Sequence, residues 1–84
     1  MYKVILDKKV LKSLDKIPVI YLSSIKEIVN SLAHNPRPFG HKKLSGFENL
    51  YRIRTGVYRI IYSIEDDILT VEVIKIDHRG SVYR

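Results

Sequence analysis

From Leu50 onward the chain alternates apolar and polar residues with a period of two, in the runs LYRIRT, VYRIIYSI and ILTVEVIKI. That period belongs to strands with one buried face. Successive runs with short joins predict an antiparallel β-meander. The joins, Thr55-Gly56 and Asp66-Asp67, have turn chemistry. With Thr55-Gly56 at the tip of a two-residue hairpin, Ile53 faces Tyr58, Tyr51 faces Ile60 and Arg52 faces Arg59. One face then carries Tyr51, Ile53, Tyr58, Ile60, Tyr62 and Ile64, joined by Leu69, Val71 and Val73. The opposite face gathers Arg52, Arg54 and Arg59.

The N-terminal half supplies the layer that covers the apolar face. Residues 2–7 alternate, with Tyr2, Val4 and Leu6 on the inward side, and predict a first strand. Asp7 is placed to cap a short helix over residues 8–16, where Val10, Leu11, Leu14 and Ile17 recur at helical spacing. Pro18 breaks that pattern and suits the first turn of a second helix over 18–34. There Leu22, Ile25, Ile28, Val29 and Leu32 form one stripe. Strands are expected at 50–55, 57–64 and 68–77. The class is α+β: an N-terminal strand, a two-helix hairpin and a meander. Leu14, Leu22, Ile25, Val29 and Leu32 are expected to pack on Tyr51, Ile53, Ile60, Tyr62 and Val71. Exposed Ile53 and Ile60 beside buried Arg52 and Arg59 would show the register wrong by one.

At 84 residues this is one domain, residues 1–84, with a thin core. It has no cysteine, which excludes disulfides, thiolate nucleophiles and cysteine metal knuckles. No histidine spacing supports a metal site, and no cofactor is expected. His34 and His41 read as structural. The longest uncharged apolar run, Ile17 to Ile25, is far short of the ~20 residues of a membrane span. MYKVILDKK lacks a signal peptide's apolar stretch, so a cytoplasmic location is expected.

Charge narrows the partners. Fifteen Lys+Arg against nine Asp+Glu give a formal net charge of +6. Such an excess fits either a polyanionic partner or a surface that is basic for solubility alone. Its concentration between Arg37 and Arg59, where Glu48 is the one acid, favours the partner. Residues 35–49, NPRPFGHKKLSGFEN, form a loop too long to be idle. Arg37, Lys42 and Lys43, with Phe39 and Phe47, suit a nucleic-acid surface. The same stretch also reads as a packed connection anchored by Phe39, Leu44 and Phe47. Both readings stand together.

Three guanidiniums on one sheet face repel one another by a few tenths to about 1 kcal/mol per opposed pair. A bound phosphate relieves that cost, and arginine's fork grips phosphate bidentately. The competing reading pairs each arginine with an acid such as Glu72 or Glu48. The tail DHRGSVYR adds His78, Arg79, Tyr83 and Arg84 beyond the last strand, expected beside the arginine face. Cutting an RNA phosphodiester without metal takes a base for the 2′-OH, cations for the phosphorane and an acid for the leaving 5′-oxygen. Arginine supplies the cation and is a poor base. His78 or Tyr83 is left as the base.

These residues resemble a known family. NPRPFGHKKLSGFENLYRIRTGVYRIIY and VIKIDHRGSVYR are similar to RelE-type toxins of the RelE/ParE superfamily, over essentially the full length. The resemblance implies a RelE-like microbial RNase fold and a ribosome-dependent mRNA endoribonuclease acting in the decoding site and leaving a 2′,3′-cyclic phosphate. It implies a RelB-like antitoxin, and a toxin that is monomeric when free and hetero-oligomeric when inhibited. The family's basic strand pair falls on Arg52 and Arg54, its next-strand arginine on Arg59, the arginine after the last strand on Arg79, and its C-terminal tyrosine on Tyr83. The strand pair is often lysine in the family; here both are arginine, which removes a lysine base. Arg37, Lys42 and Lys43 are the expected RNA and ribosome contacts. The alternative is a ParE-like toxin that inhibits DNA gyrase without nuclease activity, though such chains generally lack this full basic set and terminal tyrosine.

Overall fold

The three alternating runs form the centre of the sheet. The computed structural model describes residues 1–78. In chain order it contains β1 (Lys3–Leu6), α1 (Lys8–Leu14), α2 (Val19–Ser31), β2 (Lys42–Lys43), β3 (Leu50–Thr55), β4 (Tyr58–Glu65) and β5 (Thr70–His78). A single 3₁₀ turn, Asp66–Ile68, joins β4 to β5. The five-stranded sheet has the order β1-β5-β4-β3-β2. β3, β4 and β5 are the expected antiparallel meander. β1 adds to the far side of β5 in parallel, with Val4 opposite Val71. β2, not anticipated, pairs antiparallel with β3 out of the middle of the loop. This edge is two residues long and both are lysine, which discourages pairing with another chain.

Local chemistry accounts for the helices. The Asp7 side chain accepts a hydrogen bond from the Lys9 backbone N–H at 2.8 Å, capping α1 as expected. Pro18 is the N-cap of α2, one position earlier than the first turn assigned to it. Both helices are shorter than their periodicity implied, and tight turns beyond their ends satisfy the last helical carbonyls, up to Leu14 and Ser31.

The helices cover one sheet face. Val10, Ile25, Leu32, Ile60, Tyr62, Val71 and Val73 are each under 2 % exposed. Each buried aliphatic of this kind contributes about 1.5–3 kcal/mol. Ile53 and Ile60 are 4 % and 0 % exposed, so the expected face assignment of β3 and β4 holds. Leu11 and Leu69, expected inside, are 51 % and 50 % exposed. Leu69 ends the 3₁₀ turn at φ +47°, a left-handed conformation that swings it off the ladder.

Two register details differ from expectation. The hairpin tip is Gly56-Val57, with Thr55 opposite Tyr58, Arg54 opposite Arg59 and Ile53 opposite Ile60. Gly56 takes φ +58° at the first tip position, where a two-residue hairpin favours glycine. The slip moves each β3 residue's partner by two, so every residue keeps its face. The second is a β-bulge: Tyr62 lies opposite Val73, but Ile61 lies opposite Lys75, leaving Ile74 as an extra residue in β5. Past the bulge the alternation inverts. Ile76 turns inward, 7 % exposed, and Lys75 and Asp77 turn to the open face.

Candidate nucleic-acid interface

The register builds the open face row by row. Lys42, Arg52, Ile61 and Lys75 are cross-strand partners from β2 to β5. Arg54, Arg59 and Asp77 form the adjacent row. Cross-strand neighbours lie about 4.5–5.5 Å apart at Cβ, so these head groups share one surface. Arg52 and Arg59 are half-buried and Arg54 is exposed. Long aliphatic stems lie on the sheet while the charged heads reach water.

This face is neutralised only in part. The Arg59 Nε donates to Asp77 Oδ1 at 3.4 Å, and the Lys75 Nζ lies 3.5 Å from Asp77 Oδ2. The pairing acid is Asp77, not the Glu72 or Glu48 foreseen. Unbroken alternation would have put Asp77 on the core side, and the bulge brings it across. Arg54 has no ion-pair partner among the described residues.

The bulge also relocates His78. It lies opposite Tyr58, and their rings meet edge-on at 5.4 Å between centroids. Tyr58 belongs to the helix-covered face, 8 % exposed, and meets Tyr21 of α2 at 5.4 Å. His78 therefore stands on the opposite side of the sheet from Arg52, Arg54 and Arg59, and the expectation that they face it is corrected. Arg79 and Tyr83 lie outside the described residues.

The loop's basic residues divide. Lys42 joins the Arg52 row, whereas Lys43 lies opposite Tyr51 and so on the other side. Arg37 has a role of its own. Its guanidinium grips Asp66 bidentately, Nη2 to Oδ2 at 2.8 Å and Nη1 to Oδ1 at 3.2 Å. It also lies over the Tyr51 ring at 5.6 Å, on the helix-covered side. The Tyr2 hydroxyl donates to Asp66 Oδ1 at 2.6 Å. These two donors, Arg37 first, hold the Asp66 carboxyl down to about 2. The Tyr2 phenol is pushed up, because its proton is held by that carboxylate.

Beside this clamp, the buried Tyr62 hydroxyl donates to the Pro36 carbonyl at 2.8 Å, and burial pushes its pKa up to about 12. The His41 Nδ1 lies 2.8 Å from the Pro38 carbonyl, which only accepts, so that nitrogen carries the proton. Polar contacts thus hold the loop, while Phe39 is fully exposed, Phe47 is 56 % exposed and Leu44 is half-buried. The two phenylalanines do not anchor it. No sequence pattern announced the Tyr2–Asp66–Arg37 cluster, because its members are 29 to 64 residues apart.

Among the described residues no cluster of three or more His, Cys, Asp or Glu could hold a metal ion, and no helix is long and apolar enough to cross a membrane. The surface offers guanidinium donors to phosphate oxygens.

The profile of the family described as the ParE toxin of the type II toxin–antitoxin system parDE matches residues 4–83. Toxin RelE3 of Methanocaldococcus jannaschii is 35 % identical over 85 residues, covering 96 % of this chain and 94 % of its own. Toxin RelE of Mycobacterium tuberculosis is 30 % identical over 84 residues, covering 99 % and 87 %. The toxin in the archaeal RelE–RelB complex from Pyrococcus horikoshii superposes with a TM-score of 0.84 at 33 % identity, covering 94 % of this chain and 96 % of that one. Sequence and fold agree over nearly the whole length, and the chain belongs to the RelE/ParE family of type II toxin–antitoxin toxins.

Proposed function

We propose that this chain is a ribosome-dependent mRNA endoribonuclease, restrained by a RelB-like antitoxin. The observation that carries the reading is the open sheet face with Arg52, Arg54 and Arg59 in register and Asp77 neutralising only part of their charge. These arginines hold the scissile phosphate and stabilise the charge that builds on its equatorial oxygens. The 2′-oxygen attacks phosphorus as its proton leaves, the bond to the 5′-oxygen breaks, and a proton reaches that oxygen. A 2′,3′-cyclic phosphate and a 5′-hydroxyl result. The family resemblance assigns a further phosphate contact to Arg79, which lies outside the described residues.

Tyr83 is the better candidate for the base. The family resemblance reaches that position more surely, and guanidiniums brought close to a phenol favour its phenolate, whereas His78 packs on Tyr58 across the sheet. The curated relatives named above are RelE toxins, and the P. horikoshii toxin is seen bound to RelB. Both facts support the nuclease reading and an antitoxin partner.

The test is a purified translation system programmed with one message. Cleavage within codons, with cyclic-phosphate ends, is expected from the parent and is expected to be about 10²–10³-fold slower from Arg59→Ala. The matching family profile is described as ParE, which favours a second reading: a gyrase inhibitor without nuclease activity. Intact message together with blocked DNA supercoiling would establish that reading and overturn the first.

A further inference from the structure

Phe39 is the most exposed large apolar side chain among the described residues, yet it stands on a restrained loop. On its N-terminal side Tyr62 holds the Pro36 carbonyl and Asp66 holds Arg37. On its C-terminal side His41 is tied to the Pro38 carbonyl and β2 joins the sheet. Between them Gly40 takes φ +93°, with nothing within 4 Å of where its Cβ would stand. Glycine there serves the turn and not close packing. The result is a phenyl ring held out into solvent one turn before two lysines. Lys42 continues directly into the Arg52 row, so the loop that carries the ring leads onto the edge of the arginine face.

From this placement we propose that residues 36–43 form a second RNA contact, in which Phe39 stacks on an unpaired base and Lys42 and Lys43 carry the flanking phosphates. The inference rests on the nuclease reading, and it names how that site gains affinity outside the reacting phosphate. Stacking on an exposed ring is indifferent to base identity, which suits a protein that meets many messages. Charge decides between an RNA and a protein occupant. The loop from Arg37 to Lys43 contains no acid, and Lys42 adjoins the arginine face while Lys43 projects from the other side of the same edge, so the phosphates flanking a stacked base meet positive charge on both sides.

The test uses the full chain and purified ribosomes carrying a short message. Phe39→Ala is expected to weaken binding on the order of ten-fold, the loss of one stacked base. It should leave the slope of log affinity against log salt unchanged. Lys42→Ala and Lys43→Ala should each reduce that slope by about one. Phe39→Trp should restore the affinity. Because the chain has no tryptophan, it also adds a single reporter, whose fluorescence is quenched when the programmed ribosome binds. Ile20→Ala, at another exposed apolar position, should change neither quantity.

Parent cleavage with unchanged binding by Phe39→Ala would overturn the stacking proposal and leave the nuclease reading intact. Weakened binding to a RelB-like antitoxin, with ribosome binding unchanged, would assign Phe39 to the partner protein instead. No cleavage or ribosome binding by the parent would overturn both.

Discussion

Asp77 shows how a basic face is held together without being silenced. Its carboxylate lies 3.4 Å from the Arg59 Nε and 3.5 Å from the Lys75 Nζ, so one anion restrains two cations. Asp77→Asn keeps the shape and removes the charge. It is expected to cost about 1 kcal/mol of stability and to tighten RNA binding at low salt, as measured by titration at several ionic strengths. Weaker binding by a folded Asp77→Asn protein would mean that Asp77 orients Arg59 more than it offsets it. Arg59→Ala removes a phosphate donor and is expected to slow single-turnover cleavage by about 10²–10³-fold. Asp66 has a different pH signature. Its carboxyl falls to about 2 in the folded chain, against about 4 unfolded. Its ionised form is therefore favoured by folding. The stabilisation is complete above about pH 5 and is lost as pH falls through 2. The urea-midpoint difference between the parent and Asp66→Asn should close between about pH 4 and 2. A gap that stays constant would show that the carboxylate's charge is not what stabilises.

At the scale of elements, β4 and β5 fix the site, and a single extra residue decides what reaches it. Deleting Ile74 removes the bulge but leaves Val73 and Ile76 inward and Asp77 outward. The deletion variant is expected to unfold cooperatively in urea, with Arg59 and Asp77 still on one face; loss of the folded state would show that β5 needs the bulge to bend. Tyr62→Phe tests the anchor between β4 and the loop. It leaves the Pro36 carbonyl without its buried donor, at a cost of about 1–3 kcal/mol. The strands and the arginine face were legible because alternation survives a slip of two, as the move of the hairpin tip from Thr55-Gly56 to Gly56-Val57 shows. A bulge leaves no mark in alternation: Ile74-Lys75-Ile76 reads as unbroken strand, and so His78 was placed on the wrong face. β2 was illegible because two lysines carry no period. Phe39 and Phe47 read as anchors because aromatic residues in loops are so often buried, whereas here polar contacts from distant residues do that work.

Across the whole molecule the sheet separates two environments. Helices seal one face, and the other carries charge from Lys42 to Lys75, within a chain of net +6. An antitoxin that restrains this surface should therefore present acidic residues to it and mask some of Arg52, Arg54, Arg59 and Arg79, or displace the segment that bears Tyr83. Steering by opposite charge speeds encounter and is screened by salt. The association rate of toxin with antitoxin is thus expected to fall at least ten-fold between about 0.05 and 0.5 M salt, as the screening length shrinks from more than 10 Å to a few ångströms. Arg54 gives the sharpest probe, since it is exposed and has no ion-pair partner among the described residues. Arg54→Glu should slow association and flatten its salt dependence while leaving dissociation nearly unchanged, as rim charges do. Stopped-flow mixing with the purified antitoxin measures both rates. A salt-independent association rate would mean that the antitoxin grips the helix-covered side and blocks ribosome entry by bulk, leaving the arginine face uncovered in the inhibited complex.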